Sequence, residues 1–374
     1  MKNKKNVIEA FFVIVGGVLG LGVFAIPFAA KRIGVFPGVV LIFAISILMV
    51  ILNTLFSEII LFTKKNECII AYSKRYLGRL AKIIETFSII FGYSGSLLAY
   101  TLATAVFVTG LFSLDNSYFW PIILVSSAVT SVILLNGFRG LGKAELFFSV
   151  LMCLAFFLVF FKSIPFWEEV KSNWTETFLP YGVVLFALSG EASIPIAIRI
   201  LGKEQKKIGK IILWAYFLIA IITALFFVSA AKTSGAGITA DPFVSISLKM
   251  GQGILYIGSL LGLLAVVTSH WAIASYLKKI LITDLKFKEI VSWFFVVFFP
   301  LVLILLGAYN FVHIIGLVGV VAGTIDALMI LAIYKKVFSK KGAKTIILPK
   351  KAPTFFIWII FLIFLGAALS SIFS

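Results

Sequence analysis

The first long apolar run of the chain contains the stretch GLGVFAIPFAAKRIG at residues 20–34, and a later run contains LSGEASIPIAIRILG at residues 188–202. At a constant offset of 168 residues, five of the fifteen positions are identical. A similarity that recurs at a fixed offset indicates a duplicated structural unit. The identical pairs are Gly22 and Gly190, Ile26 and Ile194, Pro27 and Pro195, Ala29 and Ala197, and Gly34 and Gly202.

Both stretches combine glycine with a proline a few residues later, in the middle of an apolar run. Glycine weakens a helix by about 1 kcal/mol, and proline removes a backbone hydrogen bond. The pattern therefore predicts two broken helices. Because unwound backbone at membrane depth is tolerated where it lines a cavity, its amide and carbonyl groups are available to bind a polar solute.

The composition is that of an integral membrane protein. Of 374 residues, 61% are hydrophobic and 13% are charged, with 39 phenylalanines and a mean hydropathy of +1.14. Soluble domains average roughly half apolar and about a quarter charged residues, so the solvent for most of this chain is the lipid bilayer. A separate soluble catalytic domain does not fit. Cys68 and Cys153 form neither a disulfide framework nor a metal-ligand cluster.

Apolar runs bounded by charge predict an all-α fold with eleven transmembrane helices. The predicted spans are 7–30, 36–62, 82–112, 118–136, 144–162, 178–200, 209–231, 250–279, 290–307, 311–335 and 353–373.

The distribution of basic residues predicts the orientation in the cytoplasmic (inner) membrane of a prokaryote. With the amino terminus in the cytoplasm, inside segments hold 27 of the 33 Lys and Arg and outside loops hold six. This asymmetry follows the positive-inside rule, and an odd number of spans leaves the carboxyl terminus extracytoplasmic. The formal charge of +18 therefore reports membrane orientation, and we expect no nucleic-acid partner.

Five spans separate the two repeat copies, so the second copy enters the membrane from the opposite side. We therefore predict an inverted repeat of helices 1–5 and 6–10 and one additional carboxyl-terminal helix. The expected units are 1–177, 178–335, and the basic linker with the last helix at 336–374.

At Gly20-Leu21-Gly22-Val23-Phe24-Ala25-Ile26-Pro27 the chain resembles the amino acid, polyamine and organocation transporter superfamily, whose first helix carries Gly-x-Gly-[Ile/Val]-Phe-x-x-Pro. The helix 6 run 186–190, Leu98-Ala99-Tyr100 and the eleven spans look most like its amino acid/auxin permease branch. The resemblance implies the LeuT-type fold, in which helices 1, 2, 6 and 7 rock against a scaffold. It also implies secondary active transport of amino acids by alternating access.

The two breaks offer groups that match an amino acid zwitterion. Free amides of the first gap, from Val18 to Gly22, would bind the carboxylate, and free carbonyls of the second gap, from Phe186 to Ser189, would bind the ammonium. Tyr93 and Tyr100 share a face of helix 3 and are further candidates, as is the carboxylate of Glu191. The candidate substrate-binding residues are Val18, Leu19, Gly20, Leu21, Gly22, Tyr93, Tyr100, Phe186, Ala187, Ser189, Gly190 and Glu191.

The coupling ion is left open between Na⁺ and H⁺, and no other cofactor is expected. Ala265, Thr268 and Ser269 are similar to the stretch that supplies a carbonyl and two hydroxyls to sodium in LeuT-fold carriers, with Gly17 and Gly20 as backbone ligands. Lys143 in helix 5 stands against sodium, since proton-coupled relatives use a lysine in that helix. The remaining polar candidates inside spans are Asp326, Glu58, Asn53, His270 and His313.

The sequence favours a monomeric symporter for amino acids with neutral side chains, because Phe186, Leu188, Ile194, Ala25 and Ala187 suggest a mainly apolar pocket. An ionised Glu191 would instead suit a cationic amine. The alternatives are a non-transporting amino acid sensor and a carrier or channel for another small solute or ion. We predict no enzyme, because no intramembrane catalytic arrangement or Walker A motif is found.

Overall fold

The computed structural model describes residues 2–31, 33–64, 68–136, 141–170, 178–339 and 344–373, and these form helices joined by short loops. The helices are α1 (Lys2–Val18), α2 (Leu21–Ala30), α3 (Val35–Thr63), α4 (Ile69–Tyr76), α5 (Arg79–Phe112), α6 (Phe119–Asn136), α7 (Leu141–Ser163), α8 (Phe178–Leu188), α9 (Ile194–Leu201), α10 (Ile208–Ser234), α11 (Pro242–Met250), α12 (Gln252–Thr283), α13 (Glu289–Leu305), α14 (Phe311–Val318), α15 (Thr324–Phe338) and α16 (Thr354–Phe373).

Each predicted span overlaps a helix or a broken pair of helices, while α4 and α11 lie in predicted loops. By length and composition, five helical stretches of the described chain are able to cross a membrane, and the bent pair α1 and α2 adds a sixth. Parts of α6, α7, α13 and α16 are shorter apolar helices, and one of the five stretches, Leu179–Ser234, runs from α8 to α10. The all-helical membrane architecture is thus confirmed, and the number eleven stays a prediction.

The long helices α5 and α12 pack along each other, and α10 packs along α3. Phe24 of the first repeat stretch is fully buried among rings from four other helices. Its ring centroid lies 5.4 to 5.9 Å from those of its neighbours, distances typical of edge-to-face and tilted aromatic pairs. These contacts fix α2 against α5, α7, α10 and α11; the partner rings are Phe107, Phe156, Phe226 and Phe243.

The segment 344–352 folds back onto the helix ends. The Glu58 carboxylate of α3 is fully buried and accepts backbone N–H bonds from Ile346, Ile347 and Leu348 at 2.7 to 2.8 Å. The Ala352 amide donates to the Tyr334 hydroxyl of α15 at 3.1 Å. Glu58, a candidate polar residue in the sequence, therefore anchors the linker to the helices.

Candidate functional site

The first predicted break is present. Between α1 and α2 only Leu19 and Gly20 leave the helical conformation, and Gly20 is extended with φ −137° and ψ −155°. The two helices are bent by 47°. The Val23 amide reaches back to the Gly20 carbonyl at 3.2 Å. The predicted gap from Val18 to Gly22 contains this break, but Leu21 and Gly22 already belong to α2.

The second break lies later than predicted. Phe186 and Ala187 are still helical in α8, and the interruption runs from Ser189 to a 3₁₀ turn at Glu191–Ser193. The Ser193 hydroxyl donates to the Gly190 carbonyl at 2.6 Å. Pro195 has no N–H to give, so it is accommodated in the first turn of the new helix, which begins at Ile194. The proline thus determines where the helix restarts.

The two breaks pack directly against each other. A Cβ added at Gly190 would stand 2.5 Å from Val18 Cγ2, and one at Gly17 would stand 2.9 Å from Ser193 Cβ. One added at Gly22 would stand 2.5 Å from Ala187 Cα. These distances are shorter than van der Waals contact, so only glycine permits this approach. The bare face of Gly22 contacts helix α8, and the role of its backbone in substrate binding stays a prediction.

Tyr216 of α10 holds the second break. Its buried hydroxyl donates to the Leu188 carbonyl at 3.0 Å and accepts from Asn53 Nδ2 of α3 at 2.9 Å. The last carbonyl of α8 is therefore paired within the protein. Sequence reasoning missed Tyr216, since a tyrosine in an apolar run carries no signal of its partner.

Tyr93 and Tyr100 both turn toward α12. The Tyr93 ring meets the Tyr276 ring edge-on at 5.4 Å between centroids, and the Tyr100 ring lies 6.3 Å from that of His270. Tyr100 and His270 are buried. Tyr93 and Tyr100 therefore share a face of α5, as the sequence predicted, and this face packs against α12.

The candidate sodium residues lie opposite the first break. A Cβ at Gly20 would stand 3.8 Å from Ser269 Oγ, so this part of α12 borders the unwound segment. The Thr268 hydroxyl donates to the carbonyl of Leu264 at 2.9 Å and of Ala265 at 3.2 Å within its own helix. The lone pairs of the Thr268 hydroxyl oxygen stay available to a cation. Lys143 lies in the first turn of α7, and the structure does not describe its side chain.

Three carboxyl groups from distant parts of the chain interact inside the bundle. Asp326 of α15 neighbours Glu85 of α5, and Glu191 of the second break interacts with both. Sequence reasoning named Asp326 and Glu191 but missed Glu85, which lies near the beginning of its predicted span, 82–112. Within the described ranges, no group of three or more His, Cys, Asp or Glu could hold a metal ion.

Solved structures share this arrangement of helices. MhsT, crystallised in complex with L-phenylalanine, superposes with a TM-score of 0.69 at 11% identity, covering 98% of each chain. Mhp1, a nucleobase-cation-symport-1 family transporter in a closed conformation with bromovinylhydantoin bound, superposes with a TM-score of 0.65 at 12% identity, covering 97% of this chain and 90% of its own. No curated protein sequence matches the chain.

Together with these neighbours, the paired helix breaks show that the protein has the LeuT-type fold. The family model for the tryptophan/tyrosine permease family matches residues 3–369, and the chain belongs to that family. It is a permease and not an enzyme, as predicted. Its assignment to the amino acid/auxin permease branch stays a prediction.

Proposed function

We propose that the protein is a symporter that imports aromatic L-amino acids, with tryptophan and tyrosine first, using a gradient of Na⁺ or H⁺. The observation that carries the proposal is the pair of helix breaks, packed against each other at Gly190 and Val18. Unwound backbone inside a membrane protein offers amides and carbonyls to a polar solute.

The ends of the half-helices suit a zwitterion. The amino end of α2 after Gly20 carries free amides and a partial positive charge, which favours the substrate carboxylate. The carboxyl end of α8 favours the ammonium, although Tyr216 already pairs with the Leu188 carbonyl. The remaining carbonyls of the break and the second lone pair at Leu188 are the acceptors that we assign to the substrate.

An aromatic side chain is supported by the family and by apolar surroundings. The family is named for tryptophan and tyrosine, and MhsT was solved with L-phenylalanine. Phe186 is half-buried at the second break, next to the buried Ala187 and Leu188. A planar ring that stacks against Phe186 would be stabilised by apolar burial and aromatic contact.

We further propose eleven spans in a five-plus-five inverted repeat, with the units 1–177, 178–335 and 336–374. The observation that supports the repeat is that the helices break at Gly20 and at Gly190, close to the offset between the two related stretches. Alternating access would then come from rocking of one helix group against the other. We also propose a monomer in the cytoplasmic membrane.

The test is uptake by purified protein in proteoliposomes. Labelled tryptophan should accumulate when an inward H⁺ or Na⁺ gradient is imposed and only equilibrate without one. Unlabelled tyrosine and phenylalanine should compete, whereas lysine should not. A ligand at 100 times its dissociation constant stabilises a protein by about 2.7 kcal/mol, so the same amino acids should raise the melting temperature. Folded protein that neither transports nor is stabilised by any amino acid would refute the proposal in favour of a sensor of another solute or an ion carrier.

A further inference from the structure

Glu85 is a buried carboxyl group with no donor. It lies two turns into α5, its side chain is 0% exposed, and neither carboxyl oxygen receives a hydrogen bond from any donor in the described chain. An ionised carboxylate without partners inside a membrane protein is costly, and such groups mark ion or proton pathways. Neither Glu85 nor Asp326 makes an ion pair with a Lys, Arg or His among the residues that the structure describes.

The neighbour of Glu85 is a second acid. Asp326 meets α5 at Ser88, one turn after Glu85, where Ser88 Oγ lies 2.6 Å from Asp326 Oδ1, and its carboxyl group neighbours that of Glu85. A hydrogen bond between the two carboxyl groups forms only if one of them carries a proton. The side chain of Asp326 is half-buried, whereas that of Glu85 is fully enclosed. Two adjacent carboxylates in this setting repel each other, so sharing a proton is the arrangement that stabilises them.

The hydroxyl group of Ser88, one turn after Glu85, has one proton to donate and two acceptor oxygens near it. Its Oγ lies 2.6 Å from Asp326 Oδ1 and 3.2 Å from the Ala322 carbonyl oxygen. Ala322 belongs to a π-helical turn, Gly319–Gly323, that separates α14 from α15. Such turns occur frequently at functional sites. The Ser88 hydroxyl is thus able to bond an ionised Asp326 or to turn to the backbone when Asp326 is protonated.

Other titratable groups around the pair are acidic or engaged elsewhere, except for Lys82, which lies one turn before Glu85 on α5, is partly exposed and forms no ion pair with a described residue. Glu191 adds a further negative charge from the second break, and Tyr93 is the nearest titratable group further along α5. The described residues of helices α6 and α16 include no titratable side chain. Several groups on packed helices have partners of their own: Lys278 with Glu289 and the Leu134 carbonyl, Glu58 with 346–348, Tyr72 with Thr63, Tyr276 with Tyr93, and His270 with Tyr100.

We propose that Glu85 and Asp326 form one proton-binding site, assisted by Ser88, whose loading and release accompany the transport cycle. The link to transport rests on the function proposed above. A proton fits because Glu85 has no exposed surface, which leaves no room at its oxygens for a sodium ion with several ligands. One bound proton converts the pair from charge −2 to −1 and creates the missing hydrogen bond. This site is built from residues of α5 and α15, whereas Thr268 and Ser269 belong to α12.

The first experiment needs no substrate. Infrared difference spectra of the purified protein, recorded between high and low pH, should show the C=O stretch of a buried carboxyl group that titrates. Glu85→Gln and Asp326→Asn should each remove or shift that band, while Asp115→Asn, an amide substitution at an exposed loop carboxylate, should leave it unchanged. Spectra of both core variants that match wild type would overturn the proposal, whether or not the protein transports amino acids.

The second experiment tests the link to transport. In proteoliposomes, Glu85→Gln should lower accumulation driven by a pH gradient by about tenfold or more, yet keep exchange of labelled for unlabelled tryptophan within about threefold of wild type. Ser88→Ala should shift the pH dependence of uptake with exchange retained. Accumulation and substrate-induced proton uptake equal to wild type in Glu85→Gln would overturn the coupling role. If Glu85→Gln does not fold, Asp326→Asn gives the same comparison from the half-buried partner.

Discussion

At the scale of single residues, polar side chains inside this bundle complete backbone hydrogen bonds that the broken helices leave open. Tyr216 bonds the end of α8, and Ser193 bonds the Gly190 carbonyl. A buried polar group is stable only when it is paired, so each of these side chains is tied to one backbone geometry. The shape of the second break therefore depends on residues outside the repeat stretch as well as within it.

Tyr216→Phe should weaken both folding and substrate affinity. The substitution leaves the Leu188 carbonyl and the Asn53 amide group without their shared partner, which costs about 1 to 3 kcal/mol for buried groups. We expect a lower melting temperature and a raised KM for uptake. Tyr118→Phe, which removes an exposed hydroxyl, is the matched control. Equal melting temperatures for the two variants would contradict the role of Tyr216.

Asp241 should make stability depend on pH. It lies in the loop before α11, and burial raises its pKa from 3.8 to about 6, opposed by backbone hydrogen bonds from Phe243 and Val244. The folded protein therefore holds the proton more tightly than the unfolded chain. This stabilisation is complete below about pH 3.8 and is lost as the pH rises through about 6, with a slope of about 1.4 kcal/mol per pH unit between those values.

The measurement is the melting temperature of wild type and Asp241→Asn at pH 7, 6 and 5. The wild type should gain stability relative to the variant as the pH falls. Asn is able to retain the cap that Asp241 provides to the Phe243 amide, so the variant isolates the ionisation. Parallel pH profiles would show that Asp241 is not the group responsible.

At the scale of elements, glycines set how closely the broken helices approach the rest of the bundle. A Cβ at Gly182 of α8 would overlap the Gly316 carbonyl oxygen of α14, and one at Gly319 would overlap the Gly182 carbonyl oxygen. Small residues at crossings of membrane helices permit such backbone contact. Gly182, Gly316 and Gly319 thus let α8, and with it the second break, pack closely against the helix that leads to Asp326.

Gly319→Ala should destabilise the protein by about 1 to 3 kcal/mol or more, because the clash is with backbone that has no alternative rotamer. Gly366→Ala in α16 is the control, since nothing lies within 4 Å of its added Cβ. Alanine there should be neutral or stabilising by up to about 1 kcal/mol. Thermal unfolding in detergent compares the two, and similar melting temperatures would argue against close packing of α8 and the π-helical turn.

The buried Glu58 should hold the linker before α16. Glu58→Gln replaces one acceptor oxygen with a donor that faces a backbone N–H, so we expect a loss of about 2 kcal/mol or more. Release of segment 344–352 should also free the backbone at the exposed Lys344, Lys350 and Lys351 for cleavage by trypsin. Limited proteolysis, with Glu169→Gln at an exposed loop carboxylate as control, measures this, and a linker equally resistant in both variants would contradict it.

At the scale of the whole molecule, the apolar core draws on helices from both halves of the chain, and the Phe24 cluster joins them. The distribution of 27 and six basic residues and the proposed eleven spans together predict opposite locations for the two ends of α16. This is a statement about the entire chain, because a missed or added span would reverse it.

Reporter fusions test that topology. Alkaline phosphatase fused after residue 373 should be active, because it folds outside the cytoplasm, and green fluorescent protein at that position should be dark. Fusions after residue 350, just before α16, should give the opposite pair of results. The same result at both positions would contradict α16 as a span, and a reversal at both would place the amino terminus outside.

The amino-acid sequence by itself determined the membrane class, the helical fold, the resemblance to LeuT-fold transporters and the neighbourhood of both breaks. These follow from composition and from glycine and proline, whose backbone effects are local. The exact second break was less accessible, because Pro195 and the serine hydroxyls act together over seven residues. The structure begins the break at Ser189 where the sequence predicted Phe186.

Only the tertiary structure decided which polar groups meet. Glu85 and Asp326 are far apart in sequence, as are Tyr216 and Leu188, and the three amides bonded by Glu58 lie 288 to 290 residues away from it. A membrane helix that is apolar on all sides has no amphipathic period to show which face points inward. The rotation of each helix is set by packing against its neighbours, so side-chain partners and the contact face of Gly22 emerge only when the bundle is assembled.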